Sequence, residues 1–191
     1  YDPVFAALKL TSPISVRSEG PAPSEHSWAV NAVIQYVFPG TPFTEGKTVN
    51  VTWYDGDQRP PAEIQALAGG RRLPGQGSIM IGTKGIMILP HIGMPILLPQ
   101  EQYKDFAMPA IETVDHYHEF VDTVLGKTTT STTFDYSGPL TEAVLLGPLA
   151  TRFPKTTLAW NAKKLRFDNS KEATAFVRRK YREGWKVKGL S

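Results

Sequence analysis

The segment GQGSIMIG (75–82) begins like the G-x-G-x-x-G fingerprint of a dinucleotide-binding loop. That fingerprint needs glycine at its sixth position, where this chain has Met80. It also needs a helix N-terminus to receive the pyrophosphate, whereas the residues after Gly77 are typical of a β-strand. The sequence therefore contains no dinucleotide-binding motif, and we expect no cofactor to be bound by this chain.

The segment DHYHE (115–119) offers two imidazoles and two carboxylates, which are metal-ligating groups. On a helix, His116 and His118 point in divergent directions, because helical ligand pairs are three or four residues apart. The spacing favours polar residues at an exposed helix start, with Asp115 near the positive end of the helix dipole. We expect no metal site here.

Two other polar segments favour simple structural interpretations. The segment DGD (55–57) lacks the further ligands of a calcium loop and indicates a turn. The segment RRKYREGWKVK (178–188) could suggest nucleic-acid binding, but the net charge of the whole chain is only +3, so a solvated basic face is favoured. Four histidines without a supporting motif define no Ser-His-Asp triad. We predict no catalytic residue within the chain and no nucleic-acid partner.

Length and composition indicate one ordinary globular domain over residues 1–191. Hydrophobic residues make up 41% of the chain and charged residues 20%. The absence of cysteine excludes disulfides, thiolate zinc sites and a cysteine nucleophile. The longest apolar stretch (85–99) is interrupted by three prolines and a histidine, so we expect no membrane partner.

Alternating apolar and polar residues predict most of the secondary structure that must position any site. The predicted strands are 14–20, 29–38, 48–56, 78–81, 86–90, 156–160 and 164–167. The second and third form an antiparallel pair, and Gly82 to Gly85 join the next two as a hairpin. The predicted helices are an opening helix over 4–10, an amphipathic helix over 116–126, a helix from Pro139 that kinks or ends at Pro148, and a last helix capped by Asn169 and Glu172.

Strands and helices occur in separate runs, which is typical of an α+β fold. We predict an open, largely antiparallel mixed sheet with helices packed on one face. The other face is left to water or to a partner. Tyr36, Phe38 and Trp53 would suit a subunit interface on that face, although burial in the core is the favoured interpretation.

Several segments, in this order along the chain, resemble the C-terminal domain of Gfo/Idh/MocA oxidoreductases. They are YDPVFAALKL, WYDGDQRPP, LPGQGSIMIGTKGIMILP, HYHEFVDTVLG, FDYSGPLTEAVLLGPLA and LAWNAKKLRFDNSKEATAFVRRKYREGWKV. The resemblance runs from residue 1 nearly to residue 188. Within the family, the chain is most similar to the branch that is common in Bacteroidetes and planctomycetes. It departs from the family at Pro148, where relatives carry a helix-compatible residue, so we expect the end of that helix to be reshaped.

The resemblance implies an NAD(P)-dependent oxidoreductase that transfers a hydride between a sugar or polyol carbon and the nicotinamide. It implies that NAD or NADP binds to an N-terminal Rossmann domain, that the acid/base groups precede Tyr1, and that this chain is inactive alone. It also implies a homo-oligomer formed through the sheet face. Two alternatives stay open: an NAD-dependent glycoside hydrolase of the same family, and a non-catalytic interaction module. The compartment stays open between cytoplasm and bacterial periplasm.

The resemblance places candidate substrate-binding residues on the substrate side of this domain. Asp2 matches the acidic residue that follows the family's histidine motif, and it would orient that histidine or the sugar. Arg72 and Gln76 lie in the loop before the hairpin and would donate hydrogen bonds to substrate hydroxyls. Tyr54 and His91 are chosen as an aromatic and a polar residue at strand ends or in adjoining loops.

Overall fold

A computed structural model describes residues 1–111 and 113–189, and it has the α+β architecture that the sequence predicts. The strands are β1 Ser15–Ser18, β2 Val33–Pro39, β3 Thr48–Tyr54, β4 Gly77–Ile81, β5 Ile86–Pro90, β6 Ile96–Leu98, β7 Thr157–Asn161 and β8 Arg166–Phe167. The helices are α1 Asp2–Ala7, α2 Ala62–Ala66, α3 Gln100–Tyr103, α4 His116–Val124, α5 Phe134–Thr151 and α6 Lys171–Ala175. All seven strand segments predicted from the sequence contain a strand.

Five strands form the first sheet in the order β3-β2-β1-β7-β8, and each neighbouring pair is antiparallel. Val16 on β1 lies opposite Tyr36 on β2 and opposite Leu158 on β7, so these side chains share one face. That face is buried: Val16 and Leu158 are fully enclosed. The alternation in the sequence therefore separated the two faces of this sheet correctly.

Helices α1, α5 and α6 cover the buried face and complete the main hydrophobic core. Gly147 sets how closely α5 can approach β2. A β-carbon at this position would lie 2.2 Å from Tyr36 Oη and 3.1 Å from Ile34 Cδ1, so a side chain there would push the helix off the sheet. The prediction that helices gather on one face is confirmed.

None of α1, α5 and α6 lies on the opposite face of this sheet, which carries both polar and apolar side chains. Gln35, Asn50 and Thr52 are exposed there, and Val37 is half-buried. Tyr36 and Phe38, which were considered for an interface on this face, point instead into the core and are 3% and 0% exposed. The core interpretation is confirmed for both residues, because they alternate with the open-face positions of β2.

A second, three-stranded sheet has the order β4-β5-β6 and a small core of its own around Ala68, Ile88 and Leu98. The β4–β5 hairpin matches its prediction, with Met80 opposite Met87. Strand β6 and helices α2 and α3 were not predicted, since each is only three to five residues long. The prediction of one domain over residues 1–191 stays a prediction.

Helix α4 forms where the amphipathic pattern predicts it, and Asp115 is its N-cap. The Asp115 carboxylate accepts hydrogen bonds from the backbone N–H groups of Tyr117 and His118 at 2.9 and 3.1 Å. The hydrogen bond from the His118 N–H is the main reason why the pKa of Asp115 is lowered. The hydrogen bond from the Tyr117 N–H and the charges of the two nearby imidazoles lower this pKa further. The apolar side of the helix is exposed, with Tyr117, Phe120 and Val124 each about 70% accessible.

The predicted start of the long helix is wrong, and of the kink or end predicted at Pro148, the end is excluded. Helix α5 begins at Phe134 rather than at Pro139, because Thr133 O accepts the N–H of Ser137 and closes the first turn upstream of the proline. The helix does not end at Pro148 but continues to Thr151, whose Oγ1 donates to the Pro148 carbonyl at 2.7 Å.

The cap of helix α6 is also one residue later than predicted. Ser170 is the N-cap and accepts the Ala173 N–H at 3.0 Å. Asn169 instead bonds the β7 backbone, accepting from Ala159 N and donating to Thr157 O. Its amide is engaged by the strand and cannot cap the helix.

Within residues 1–111 and 113–189, none of the helices combines the length and the apolar character needed to cross a bilayer.

Candidate functional site

Asp2 and Tyr136 meet at the surface, where the first turns of α1 and α5 come together. The Tyr136 hydroxyl donates a hydrogen bond to Asp2 Oδ1, and the Asp2 backbone carbonyl lies 3.5 Å from the same hydroxyl. Asp2 itself is exposed. One predicted substrate-binding residue therefore has a defined partner and remains accessible.

Six aromatic side chains form a continuous cluster behind this pair, which we call the N-terminal aromatic cluster. Its members are Tyr1, Phe5, Tyr36, Phe38, Trp53 and Tyr136. The Tyr1 ring lies 5.6 Å from Tyr36 and 6.3 Å from Trp53, and Phe5 packs edge-on against Tyr136 at 6.1 Å. Trp53 is 44% exposed, so the cluster extends from the core to the surface. Ring pairs at these distances and angles add to the stabilisation that comes from burying the rings.

The environment keeps the Tyr136 hydroxyl protonated. Burial is the largest cause that raises the pKa of Tyr136 to about 12, and the hydrogen bond to Asp2 and the negative charge of that carboxylate raise it further. Burial also raises the pKa of Tyr1 and of Tyr36. Tyr136 is therefore a hydrogen-bond donor to Asp2 throughout the physiological pH range.

Tyr54 lies elsewhere. It ends β3 and pairs with Val33, which places it on the open face of the first sheet, whereas the aromatic cluster lies on the covered face. Burial raises the pKa of Tyr54, and the nearby Glu63 carboxylate of α2 adds to this effect. The structure does not bring Tyr54 together with Asp2.

Gln76 and His91 are neighbours at the open end of the β4–β5 hairpin, where the His91 N–H donates to the Gln76 carbonyl at 3.1 Å. Both side chains are exposed, and so is Arg72, four residues earlier in the same loop. In the part of the chain that the structure describes, no hydrogen bond or ion pair joins these three residues to Asp2. Within the described residues, Gln76 and His91 are thus joined to each other, and none of the four other predicted binding residues is hydrogen-bonded to Asp2.

Tyr136 is the site residue that the sequence analysis missed. It lies within the segment FDYSGPLTEAVLLGPLA, which contributes to the family resemblance, but nothing in its local pattern marks it as a partner of Asp2. The two residues are 134 positions apart, and only the packing of α1 against α5 brings them together. No local sequence signal could have revealed this contact.

The other chemistry-bearing segments have structural roles. Asp55, Gly56 and Asp57 form the predicted turn, in which Asn31 Oδ1 accepts the Asp57 N–H at 2.7 Å. Gly75 to Gly77 lead into strand β4 and not into a helix. Among residues 1–111 and 113–189, no three His, Asp or Glu side chains are grouped as metal ligands.

Two open depressions lie against the second sheet and α3. Their volumes are about 380 and 440 Å³, and they share Gln100 and Glu101 in their walls. Neither is lined by any of the five predicted binding residues. The exposed carboxylate of Asp2, held by Tyr136 at the edge of the aromatic cluster, is the better candidate because it is a charged acceptor with a defined partner.

No protein-family model matches this chain, and no curated protein matches it.

Proposed function

We propose that this chain is the substrate-binding and oligomerisation domain of an NAD(P)-dependent oxidoreductase acting on a sugar or polyol. The proposal rests on the series of segments that resembles the C-terminal domain of Gfo/Idh/MocA oxidoreductases. The α+β fold, with helices on one face of an open antiparallel sheet, is the architecture which that resemblance implies.

The observation that carries the proposal is the setting of Asp2. The resemblance gives this residue a role next to the substrate, and its carboxylate is exposed, fixed by Tyr136 and backed by aromatic rings. Sugar hydroxyls donate hydrogen bonds to carboxylates, and the apolar C–H faces of sugar rings pack on aromatic surfaces. The carboxylate is accessible at this position, and the aromatic cluster behind it reaches the surface at Trp53.

The residues of this chain do not themselves fit a nicotinamide dinucleotide. The one glycine-rich near-match, Gly75 to Gly77, precedes a strand, so it offers no helix N-terminus for a pyrophosphate. We therefore assign no cofactor-binding residue here and derive no chemical step through NAD(P).

The proposal predicts that the 191-residue chain binds sugars or polyols without oxidising them. In ¹⁵N-resolved NMR titrations with D-glucose, D-xylose and myo-inositol, at least one probe should shift the amide signals of residues near Asp2 and Trp53. Mixtures with NAD⁺ or NADP⁺ should give no increase in NAD(P)H absorbance. Reduction of either nucleotide by this chain, or the absence of any shift with every probe, would contradict the proposal.

We also propose that two copies associate through the open face of the first sheet. Val37 lies in this face between Ser15 and Asn50, and it is the kind of half-buried apolar residue that a face-to-face contact would cover.

Val37→Arg is therefore expected to weaken self-association by at least about 10-fold, because an unpaired charge would have to be buried in the interface. Val144→Arg is the matched control, since Val144 is 43% exposed on α5, away from this face. Sedimentation velocity would measure both variants. A monomeric wild type, or equal effects of the two substitutions, would refute the sheet-face contact.

A second candidate function, a non-catalytic interaction module, is supported by the exposed apolar side of α4. Phe120 and Val124 are 68% and 71% accessible there, which is unusual for large apolar side chains on one helix face. Failure of every sugar probe in the NMR titration would favour this second function over the first.

A further inference from the structure

We infer that Tyr136 is a positioning residue for substrate binding: its hydroxyl holds one oxygen of Asp2 so that the other oxygen accepts a hydrogen bond from a hydroxyl of the sugar or polyol. This inference rests on the proposed function and adds a residue that acts through Asp2. The observation behind this inference is the hydrogen bond that Tyr136 Oη donates to Asp2 Oδ1.

The position of the Tyr136 hydroxyl is fixed from two sides. Its backbone is held in the first turn of α5, where the Tyr136 N–H donates to the Thr133 carbonyl at 3.0 Å. Its ring packs edge-on against Phe5 with an interplanar angle of 70°, and Phe5 is only 2% exposed. A donor held this way restricts the rotamer of the exposed Asp2 side chain, which would otherwise rotate freely.

The second carboxylate oxygen is available to a ligand. An ionised carboxylate can accept several hydrogen bonds, and Tyr136 occupies only Oδ1. Within the described residues, no side chain or backbone group donates to Asp2 Oδ2. A hydroxyl that donates to this oxygen meets a carboxylate which is already oriented, so less conformational entropy is lost on binding.

The aromatic surroundings favour a sugar or polyol over a simple cation. Tyr1, the residue next to Asp2, lies against the Trp53 ring, and Trp53 is 44% exposed. The N-terminal aromatic cluster thus connects the Asp2–Tyr136 pair, through Phe5 and Tyr1, to an indole that is accessible at the surface. A sugar ring carries hydroxyl groups that suit the carboxylate and C–H bonds that suit the indole.

The test compares Tyr136→Phe, Asp2→Asn and the double variant with the wild-type chain. Tyr136→Phe removes the hydroxyl and keeps the ring against Phe5, and Asp2→Asn keeps the shape and removes the charge. Tyr117→Phe is the matched control, because Tyr117 is 73% exposed on α4 and lies outside the aromatic cluster. Dissociation constants for D-glucose, D-xylose and myo-inositol are measured by NMR titration.

We expect Tyr136→Phe to weaken binding of the best probe by about 5- to 10-fold and Asp2→Asn by about 10-fold or more. The double variant should bind no more than about 2-fold more weakly than Asp2→Asn, because Tyr136 acts through the carboxylate. Tyr117→Phe should bind like the wild type. Additive losses in the double variant, or unchanged binding by Tyr136→Phe, would overturn the inference and leave the proposed function in place.

An independent readout reports on the pair without any sugar. Asp2→Asn removes the negative charge and leaves only a weaker, neutral acceptor for the phenol, so the pKa of Tyr136 should fall from about 12 toward the ordinary value of 10.0, while burial keeps it above that value. A ¹³C-tyrosine NMR titration measures this shift. An unchanged pKa would refute the contact itself. A shifted pKa in a chain that binds none of the probes would instead refute the proposed function, and the substrate role of Tyr136 with it.

Discussion

Replacing Phe5 with alanine is expected to lower the free energy of unfolding by about 3–5 kcal/mol. Phe5 is 2% exposed and packs edge-on against Phe38 at 6.3 Å, with an interplanar angle of 80°. It is the residue of α1 that enters the main core, so its removal leaves a cavity lined by rigid rings. Since small proteins are stable by about 5–15 kcal/mol, this is a large part of the total.

Phe134→Ala provides the matched control for this prediction. The same ring is removed, but Phe134 is 92% exposed, so the expected change is within about 0.5 kcal/mol. Urea unfolding followed by tryptophan fluorescence would measure both variants. Amide hydrogen exchange adds a local test, because the amides of residues 5–10 should lose protection in Phe5→Ala. Equal stability of the two variants, or rapid exchange of residues 4–10 in the wild type, would contradict the packing of α1 on the sheet.

The first sheet was predictable because residues in its strands alternate between a buried and a more exposed face. Ile34, Tyr36 and Phe38 are buried while Gln35 is exposed, and such a period of two fixes both the strand and its inward face. Helix α4 was equally clear from its spacing and its Asp115 cap. The local pattern thus identified both elements, although in α4 the apolar side that it marks is exposed rather than buried.

The elements that were missed depend on their neighbours. Strand β6 has only three residues between Pro95 and Pro99, too few to show a period, and it forms because β5 offers an unpaired edge. Helix α3 has four residues and is tied to the hairpin by Tyr103, whose hydroxyl donates to the Lys84 carbonyl at 2.7 Å. Propensity alone does not stabilise helices this short.

The candidate site likewise contains residues that could be predicted from the sequence and one that could not. Asp2 was predicted because a resemblance assigned a role to its position, and it lies in an accessible setting. Arg72 and Gln76 were predicted from the same resemblance, because they lie in the loop before the hairpin, and Tyr54 and His91 were chosen at strand ends or in adjoining loops. None of the four is hydrogen-bonded to Asp2 in the described part of the chain. Tyr136 could not be chosen, since its partnership with Asp2 exists only after α1 and α5 have packed together.

Gly75 and Gly77, which form the near-match to a nucleotide-binding loop, have different surroundings in the structure. Gly77 has a φ of +149° and begins β4 directly against β5, where it pairs with Pro90. A β-carbon at this position would lie 2.4 Å from the Leu89 carbonyl oxygen and 3.0 Å from Pro90 Cα. Both neighbours are backbone atoms of a paired strand, so they cannot move aside without opening the hairpin.

Gly77→Ala should therefore destabilise the second sheet by about 3 kcal/mol, from backbone strain together with the steric conflict. Gly75→Ala is the matched control: among the described residues, no atom outside its chain neighbours lies within 4 Å of the added carbon, and its φ is outside the left-handed region. That substitution should be neutral or stabilising by up to about 1 kcal/mol, because alanine restricts the unfolded chain. Amide exchange in β4 and β5 measures the difference. A loss of 3 kcal/mol corresponds to roughly 100-fold faster opening, and equal exchange in the two variants would show that Gly77 is not required for strand pairing.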